Sequence, residues 1–236
     1  MLNTDLHSHI LPGIDDGSEN AKMSADMLNM LFAQGVERIA ATPHFRSHRE
    51  SVGSFCHRRE NAYRELCASQ SYSTIEKITL GAEVALEYGV SRLEDISWLA
   101  YGFTDYILLE FPYRPFSERM LEEINSIHYD HKLTPVIAHI DRYADIFSPN
   151  DYKKIMYLDD VIFQVNNEAF SERKPRRIVD ELISYDLPFV LGSDCHNTSN
   201  RAPNFDLSRK HLKKYTPHRK AITLCRSRSA IIHTIC

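Results

Sequence analysis

The chain has 236 residues, 43% of them hydrophobic and 25% charged, with a formal net charge of −4. That is the makeup of one folded domain with a proper core, and it excludes an intrinsically disordered chain. No apolar run approaches the ~20 residues of a membrane-spanning helix, residues 1–5 lack the basic-then-apolar layout of a signal peptide, and the cysteines Cys56, Cys67, Cys195, Cys225 and Cys236 are too scattered for a disulfide framework or zinc ribbon.

The first short apolar run, residues 4–6, predicts a strand ending in Asp5-Leu6-His7-Ser8-His9. Side chains alternate along a strand, so His7 and His9 point to one side and can bind one metal together. Gly13-Ile14-Asp15-Asp16-Gly17 follows, an acidic turn that can fold a carboxylate back over the same mouth. Met23, Met27, Met30 and Leu31 recur at helical spacing and lead to Gly35, a helix C-cap, so they form a core face rather than a cofactor box. The second strand, 38–41, ends in Ala41-Thr42-Pro43-His44-Phe45. The third, 78–84, contains Glu83, and the fourth, 106–109, is followed by Glu110. A carboxylate inside an apolar strand is expensive to bury unless something neutralises it, and a metal ion does so.

Met120, Leu121, Ile124 and Ile127 form a second helical stripe; Ile178, Val179, Leu182 and Ile183 form a third. The fifth strand, 135–138, leads to His139-Ile140-Asp141-Arg142-Tyr143. The sixth, 161–165, leads to Asn166 and Asn167, which receive no role. The seventh, 189–191, leads to Gly192-Ser193-Asp194-Cys195-His196-Asn197, with Arg201 shortly after. His48, His57, His128, His131, His211, His218 and His233 lie away from strand ends and are expected to face solvent or bond locally. Residues 207–236 carry eight Lys/Arg and no acid, leaving 20 basic against 32 acidic side chains in residues 1–206. The basic segment reads as a solvated helix face or a docking patch for an acidic partner or anionic membrane surface. Nucleic acid is not an expected partner, because the acidic body repels phosphate backbone.

Seven strand–helix units imply an α/β fold with a parallel sheet. Chemical residues after nearly every strand favour closure, since a barrel gathers all its strand ends at one mouth. The expected fold is a distorted (β/α)7 TIM-like barrel in a single domain spanning residues 1–236. Five histidines and four carboxylates then converge: His7, His9, His44, His139, His196, Asp16 or its neighbour Asp15, Glu83, Glu110 and Asp194. That exceeds the coordination of one ion, so a cluster of two or three is expected, and without thiolates Mn²⁺, Fe²⁺ and Zn²⁺ are all admissible. Cys195 and Arg201 have the Cys-x5-Arg spacing of thiol-dependent tyrosine phosphatases, but the segment lacks the glycines of a phosphate-binding loop.

Asp-Leu-His-Ser-His, Thr-Pro-His-Phe, Gly-Ala-Glu-Val, Ala-His-Ile-Asp-Arg-Tyr and Gly-Ser-Asp-Cys-His-Asn, taken in order, resemble the motifs of the PHP (polymerase and histidinol phosphatase) superfamily. The His-Ile-Leu-Pro-Gly-Ile-Asp-Asp-Gly start and the pair Arg142/Arg201 are similar to its bacterial tyrosine phosphatases encoded with capsule and exopolysaccharide genes. The resemblance implies three divalent ions, most readily Mn²⁺. His7, His9, Glu83 and Asp194 would hold one; Glu83, Glu110 and His139 a second; Asp16, His44 and His196 a third. It places Arg142 and Arg201 on the substrate phosphate and Asp15 in a capping or supporting role. Phe45, Phe111, Tyr113 and Phe116 are expected either to flank the substrate ring or to pack at the rim. The implied substrate is a phosphotyrosine protein, namely the C-terminal tail of a membrane-anchored bacterial tyrosine kinase. The implied setting is cytoplasmic, with recruitment to the inner membrane surface through the basic segment. A histidinol-phosphate or other small phosphomonoester phosphatase and an inert metal-stabilised binding module are the rival readings.

Overall fold

The computed structural model describes residues 4–212. In chain order the elements are β1 (Thr4–Ser8), α1 (Ala21–Ala33), β2 (Arg38–Ala41), β3 (His44–Phe45), α2 (Val52–Ala68), α3 (Tyr72–Ile75), β4 (Ile78–Leu80), β5 (Glu83–Ala85), β6 (Tyr106–Glu110), α4 (Glu118–His131), β7 (Thr134–Ile137), α5 (Pro149–Met156), β8 (Ile162–Asn166), α6 (Arg173–Ser184), β9 (Phe189–Gly192) and α7 (Phe205–Leu212). Of the expected helical stripes, Met27 and Leu31 of α1, Met120, Ile124 and Ile127 of α4, and Ile178, Val179, Leu182 and Ile183 of α6 are buried, while Met23, Met30 and Leu121 are half-buried; Leu28 of α1 joins the buried face. Asn20 caps α1 by accepting from Met23 N at 3.0 Å, and Gly35 takes the left-handed conformation expected just past its end.

All the strand pairs are parallel, and they form two sheets, β1-β2-β4 and β3-β5-β6-β7-β8-β9. This corrects the expectation of seven unbroken strands. The expected second strand, 38–41, is β2, but a further short strand, β3, follows it beyond Thr42-Pro43, and the expected third is divided at Gly81-Ala82. Pro43 has no N–H to donate to a ladder, so pairing lapses there and resumes beyond it, with Glu83 N donating to Pro43 O at 3.0 Å. The edges of the two sheets meet where Ser8 bridges Cys195 and Asp194 N donates to His7 O at 2.8 Å.

Both faces of the strands are buried. Ile39, Ile107, Ile137, Phe163 and Phe189 join the cluster that packs against the helices. Alternate residues from six strands (Leu6, Ala40, Leu108, Val136, Ile162 and Val190) form a second, smaller cluster with Tyr101. The Tyr101 hydroxyl donates to Leu6 O at 2.9 Å, which satisfies the polar atom that this ring brings into the cluster. The strands of both sheets share this second cluster, and because all pairs are parallel their C-terminal ends open on the same side. No helix among the described residues is long and apolar enough to cross a membrane. Of the basic segment, residues 213–236 lie outside the described part, so the docking expectation placed on them finds no structural counterpart here.

Candidate metal centre

The nine expected donor residues come together at the C-terminal ends of the strands. Their ligand atoms form four overlapping groups, each with all atoms within 4.8 Å: His9, Asp16, His44 and His196; His7, His9 and Asp194; His7, Glu83 and His139; His44, Glu83 and Glu110. Glu83 sits at the centre. Its Oε1 lies 2.8 Å from His139 Nε2, and its Oε2 lies 3.0 Å from His44 Nδ1 and 3.2 Å from both His7 Nε2 and His9 Nε2. Asp194 Oδ1 is 3.4 Å from His9 Nε2 and 3.6 Å from His7 Nε2. Asp16 is the exposed member of the set, with Oδ1 3.3 Å from His44 Nε2 and 3.7 Å from His196 Nε2.

The surroundings aim these donors inward. His9 Nδ1 donates to Asp15 Oδ2 at 2.8 Å, and the same oxygen accepts from His44 N at 3.0 Å. Asp15 therefore serves as the turn cap and support, and Asp16 as the candidate ligand. Gly17 makes the turn possible, because a Cβ there would lie 2.4 Å from His9 Cβ. His196 Nδ1 donates to Asp194 O at 2.9 Å. His139 and Asp194 both hold positive φ, at 27° and 51°. For non-glycine residues that costs on the order of 1–3 kcal/mol, and such strain collects at functional sites.

Two observations test whether the donors fit metal ions. His7 Nε2 and His9 Nε2 face each other at 3.2 Å, and two imidazole nitrogens can share only one proton. Glu83 Oε2 and His196 Nε2 are buried with no hydrogen-bond partner among the described residues, although imidazole and carboxylate atoms surround both. A cation satisfies all of these lone pairs at once, and the mixed nitrogen and oxygen set without thiolate suits Mn²⁺, Fe²⁺ or Zn²⁺. The electrostatics agree. Burial works against charge throughout, yet His7 and the neighbouring imidazoles hold Glu83 well below the carboxylate range. Burial also opposes the proton on His44, but Asp16 and Glu83 push that imidazole up to about 9. Burial with Arg142 drives His139 down to about 4, and burial with His9 drives His196 down to about 3.

Arg142 and Arg201 flank the cluster. Both donate to Asp194, Arg201 from Nη2 at 3.1 Å, and Arg201 Nη1 lies 3.8 Å from Asp16 Oδ2. Beside them opens a cleft of about 230 Å³ lined by Asp145, Asn166, Glu172 and Ala202. Asn166, left without a role by the sequence, donates to Asp194 Oδ2 at 3.4 Å, while Asn167 donates to Gly192 O at 3.0 Å.

Sequence reasoning missed two buried supports. Asp5 accepts from Ser193 N at 2.9 Å and Ser193 Oγ at 2.6 Å, tying β1 to the loop that bears Asp194; burial lifts its carboxyl to about 6. Gln164, at the centre of β8, accepts from His7 Nδ1 at 2.9 Å. The signal for Gln164 was a lone amide in an apolar run.

Three of the four aromatic candidates are packing residues. Phe45 and Phe111 are fully buried, with Phe45 against Phe55 and Phe111 against Tyr143, and Phe116 packs on Phe147. Tyr113 is 71% exposed and remains available. Outside the cluster, His48 bonds Glu87, His57 bonds Asn61, His128 bonds Leu133 O and His131 bonds Ser91 O, in keeping with local roles. The side chains of His211, His218 and His233 lie outside the described set.

Cys195 is fully buried within the apolar core, and burial pushes its thiol well above the ordinary range. A thiol so placed cannot ionise or reach substrate, which disposes of the Cys-x5-Arg resemblance. Cys195→Ser is expected to cost about 1–3 kcal/mol of stability while leaving turnover per folded, metal-loaded chain unchanged; complete loss of turnover with metal still bound would contradict this.

Parallel strands with two arginines and a His/Asp/Glu cluster that could hold metal at their C-terminal ends define a class of α/β proteins with a candidate metal site. Within it, the chain belongs to the CpsB/CapC family of capsular polysaccharide synthesis, which it matches over residues 3–232. It is 26% identical over 215 residues to the tyrosine-protein phosphatase CpsB of Streptococcus pneumoniae, covering 84% of this chain and 85% of that one. It is 26% identical over 210 residues to the tyrosine-protein phosphatase YwqE of Bacillus subtilis, covering 84% and 78%. Among solved structures, that of YwqE from Bacillus subtilis and CpsB from Streptococcus pneumoniae, described as unique metal-dependent tyrosine phosphatases, has the same fold, with a TM-score of 0.73 at 21% identity over 94% of each chain.

Proposed function

We propose that this chain is a metal-dependent protein-tyrosine phosphatase. The observation that carries the reading is the convergence of nine donors, all but Asp16 buried or half-buried, in one cluster centred on Glu83, with two guanidinium groups at the rim, in a family whose relatives are named tyrosine-protein phosphatases. Three divalent ions, Mn²⁺ foremost, would be held by His7, His9, Glu83 and Asp194, by Glu83, Glu110 and His139, and by Asp16, His44 and His196. The strands are read as a distorted seven-stranded barrel in one domain, supported by the Ser8–Cys195 bridge and the shared inner cluster.

Divalent cations there would acidify water and withdraw charge from the phosphoryl oxygens. The chain's own groups do the rest. Arg142 and Arg201 offer planar N–H pairs that match two non-bridging phosphate oxygens and hold the phosphorus for in-line attack by water, with the tyrosine phenolate leaving. Asp15 keeps the His9 ring in one tautomer, and Asp5 holds the Ser193 loop so that Asp194 stays at the mouth. Exposed Tyr113 is a candidate neighbour for the substrate ring. The substrate is a phosphotyrosine protein, for which the tail of a membrane-anchored tyrosine kinase in the cytoplasm is the expected source. No observation favours histidinol phosphate over it.

The test is turnover of a phosphotyrosine peptide by chelator-treated protein before and after Mn²⁺ is returned. Activity abolished by chelation and restored by Mn²⁺ supports the reading, and activity that survives complete metal removal refutes it. Arg142→Ala and Arg201→Ala are each expected to lower kcat/KM roughly 10²-fold, with metal content unchanged by elemental analysis. Wild-type kinetics in both would remove the arginines from phosphate binding.

A further inference from the structure

Gln164 is fully buried in β8 among apolar neighbours, and an amide in such surroundings costs several kcal/mol unless its atoms are bonded. Its bonds lead to the candidate metal centre. Oε1 accepts from His139 N at 2.6 Å and from His7 Nδ1 at 2.9 Å, and Nε2 donates to Asn166 Oδ1 at 2.9 Å. Asn166 in turn donates to Asp194.

The orientation of this amide follows from its partners. A backbone N–H can only donate, so the atom facing His139 N must be the carbonyl oxygen. That oxygen can only accept, so the proton at His7 must sit on Nδ1. The lone pair is thereby assigned to Nε2, the atom 3.2 Å from both Glu83 Oε2 and His9 Nε2. One side chain thus sets the tautomer of His7, anchors the strained backbone of His139 and, through Asn166, steadies Asp194. These three residues belong to β1 and to the segments that follow β7 and β9, and β8 pairs with both β7 and β9. The sequence reserves the space: Gly192 lies opposite Asn166 in the ladder, and a Cβ on it would come within 2.7 Å of Gln164 Nε2 and 2.6 Å of His7 Cβ.

We propose that Gln164 is the positioning residue of the metal centre, fixing His7 and His139 as ligands of the ions nearest Glu83 and leaving the group of Asp16, His44 and His196 independent of it. The inference rests on the metal-centre reading above. It predicts a selective loss. The full-length chain, stripped with chelator, is titrated with Mn²⁺ by calorimetry, and thermal unfolding of the metal-free protein is followed alongside.

Gln164→Leu removes the acceptor and is expected to weaken part of the Mn²⁺ binding 10–100-fold, about the usual loss when a partner behind a ligand is removed, while at least one ion binds as in wild type. Gln164→Glu keeps an acceptor for His7 and His139, and should restore wild-type or tighter binding although it no longer donates to Asn166. Should the leucine variant fail to fold, Gln164→Asn decides, since its amide is one methylene too short to reach both donors; it is expected to bind weakly. Wild-type affinity in the leucine or asparagine variant, or equal weakness in the glutamate variant, would overturn the assignment while leaving the phosphatase reading intact. A wild-type chain that binds no Mn²⁺ would overturn both.

Discussion

Glu83→Gln is expected to abolish phosphatase activity, lowering kcat/KM by roughly 10³-fold or more, of the order of 4 kcal/mol in transition-state stabilisation. The substitution keeps the shape of the side chain and removes only its charge, and that charge is what four imidazoles and the proposed ions share. Glu83 Oε1 and Oε2 together lie within 3.2 Å of nitrogen atoms of His7, His9, His44 and His139. An amide in the same place offers one weak acceptor and a donating NH₂ that faces ligand nitrogens, so Mn²⁺ affinity should fall together with activity. The fold is expected to survive, because a histidine deprived of its carboxylate can release its proton instead of remaining an unpaired buried cation. Circular dichroism and elemental analysis of the variant check both halves. Wild-type metal content with wild-type turnover would show that Glu83 is a structural carboxylate and that the cluster is read wrongly.

That Glu83 could be singled out from sequence follows from a simple conflict: an acid inside an apolar run has a cost that some partner must offset. The same logic applies to Glu110, whereas His7 and His9 were legible from strand alternation and His139 and Asp194 from their place just after a strand. Period-two alternation also decides the direction of two aromatic residues. Phe45 follows His44 within β3, and Phe111 directly follows Glu110 at the end of β6. If the polar member of each pair faces the mouth, the aromatic member must face away, and both are indeed buried in the core. Other features depended on neighbours far away in the chain. The break at Pro43 was visible as a residue but not as the point where one sheet hands over to the other. Gln164 looks like any polar residue in a strand until β7 and β9 are placed beside it. Its partners His7 and His139 lie 157 and 25 residues away in sequence, and no local periodicity encodes such pairings.

The proton inventory of the cluster leads to the second large effect, a metal-induced stabilisation that grows with pH. In the metal-free chain His44 is pushed up to about 9, because Asp16 and Glu83 outweigh its burial. Burial opposes the protons on His7 and His9 as well, yet the surrounding carboxylates keep both above the ordinary histidine value. A histidine whose pKa rises on folding holds its proton more tightly in the native state. Its contribution to stability is complete below the unfolded value of about 6.5 and is lost as pH climbs through the folded value. Asp141, lifted to about 7 by burial, adds the same sign up to that pH. His139 at about 4 and His196 at about 3 oppose this trend only until the unfolded chain has lost its histidine protons, roughly a unit above pH 6.5, and are neutral in both states beyond it. The metal-free chain should therefore lose roughly 2–3 kcal/mol between about pH 6.5 and 9 from His44 alone.

Cations compete for the same lone pairs, so the protons that stabilise the empty cluster are the ones binding must displace. Mn²⁺ affinity should rise by up to about tenfold per pH unit for each proton released. Thermal unfolding with and without Mn²⁺, at about pH 6.5 and about pH 8.5, reads both trends: Tm of the metal-free chain falls with pH while the shift caused by Mn²⁺ widens. A Mn²⁺ shift that is flat across this range would mean that binding displaces no protons from these histidines, and His44, His7 and His9 would have to be withdrawn as ligands.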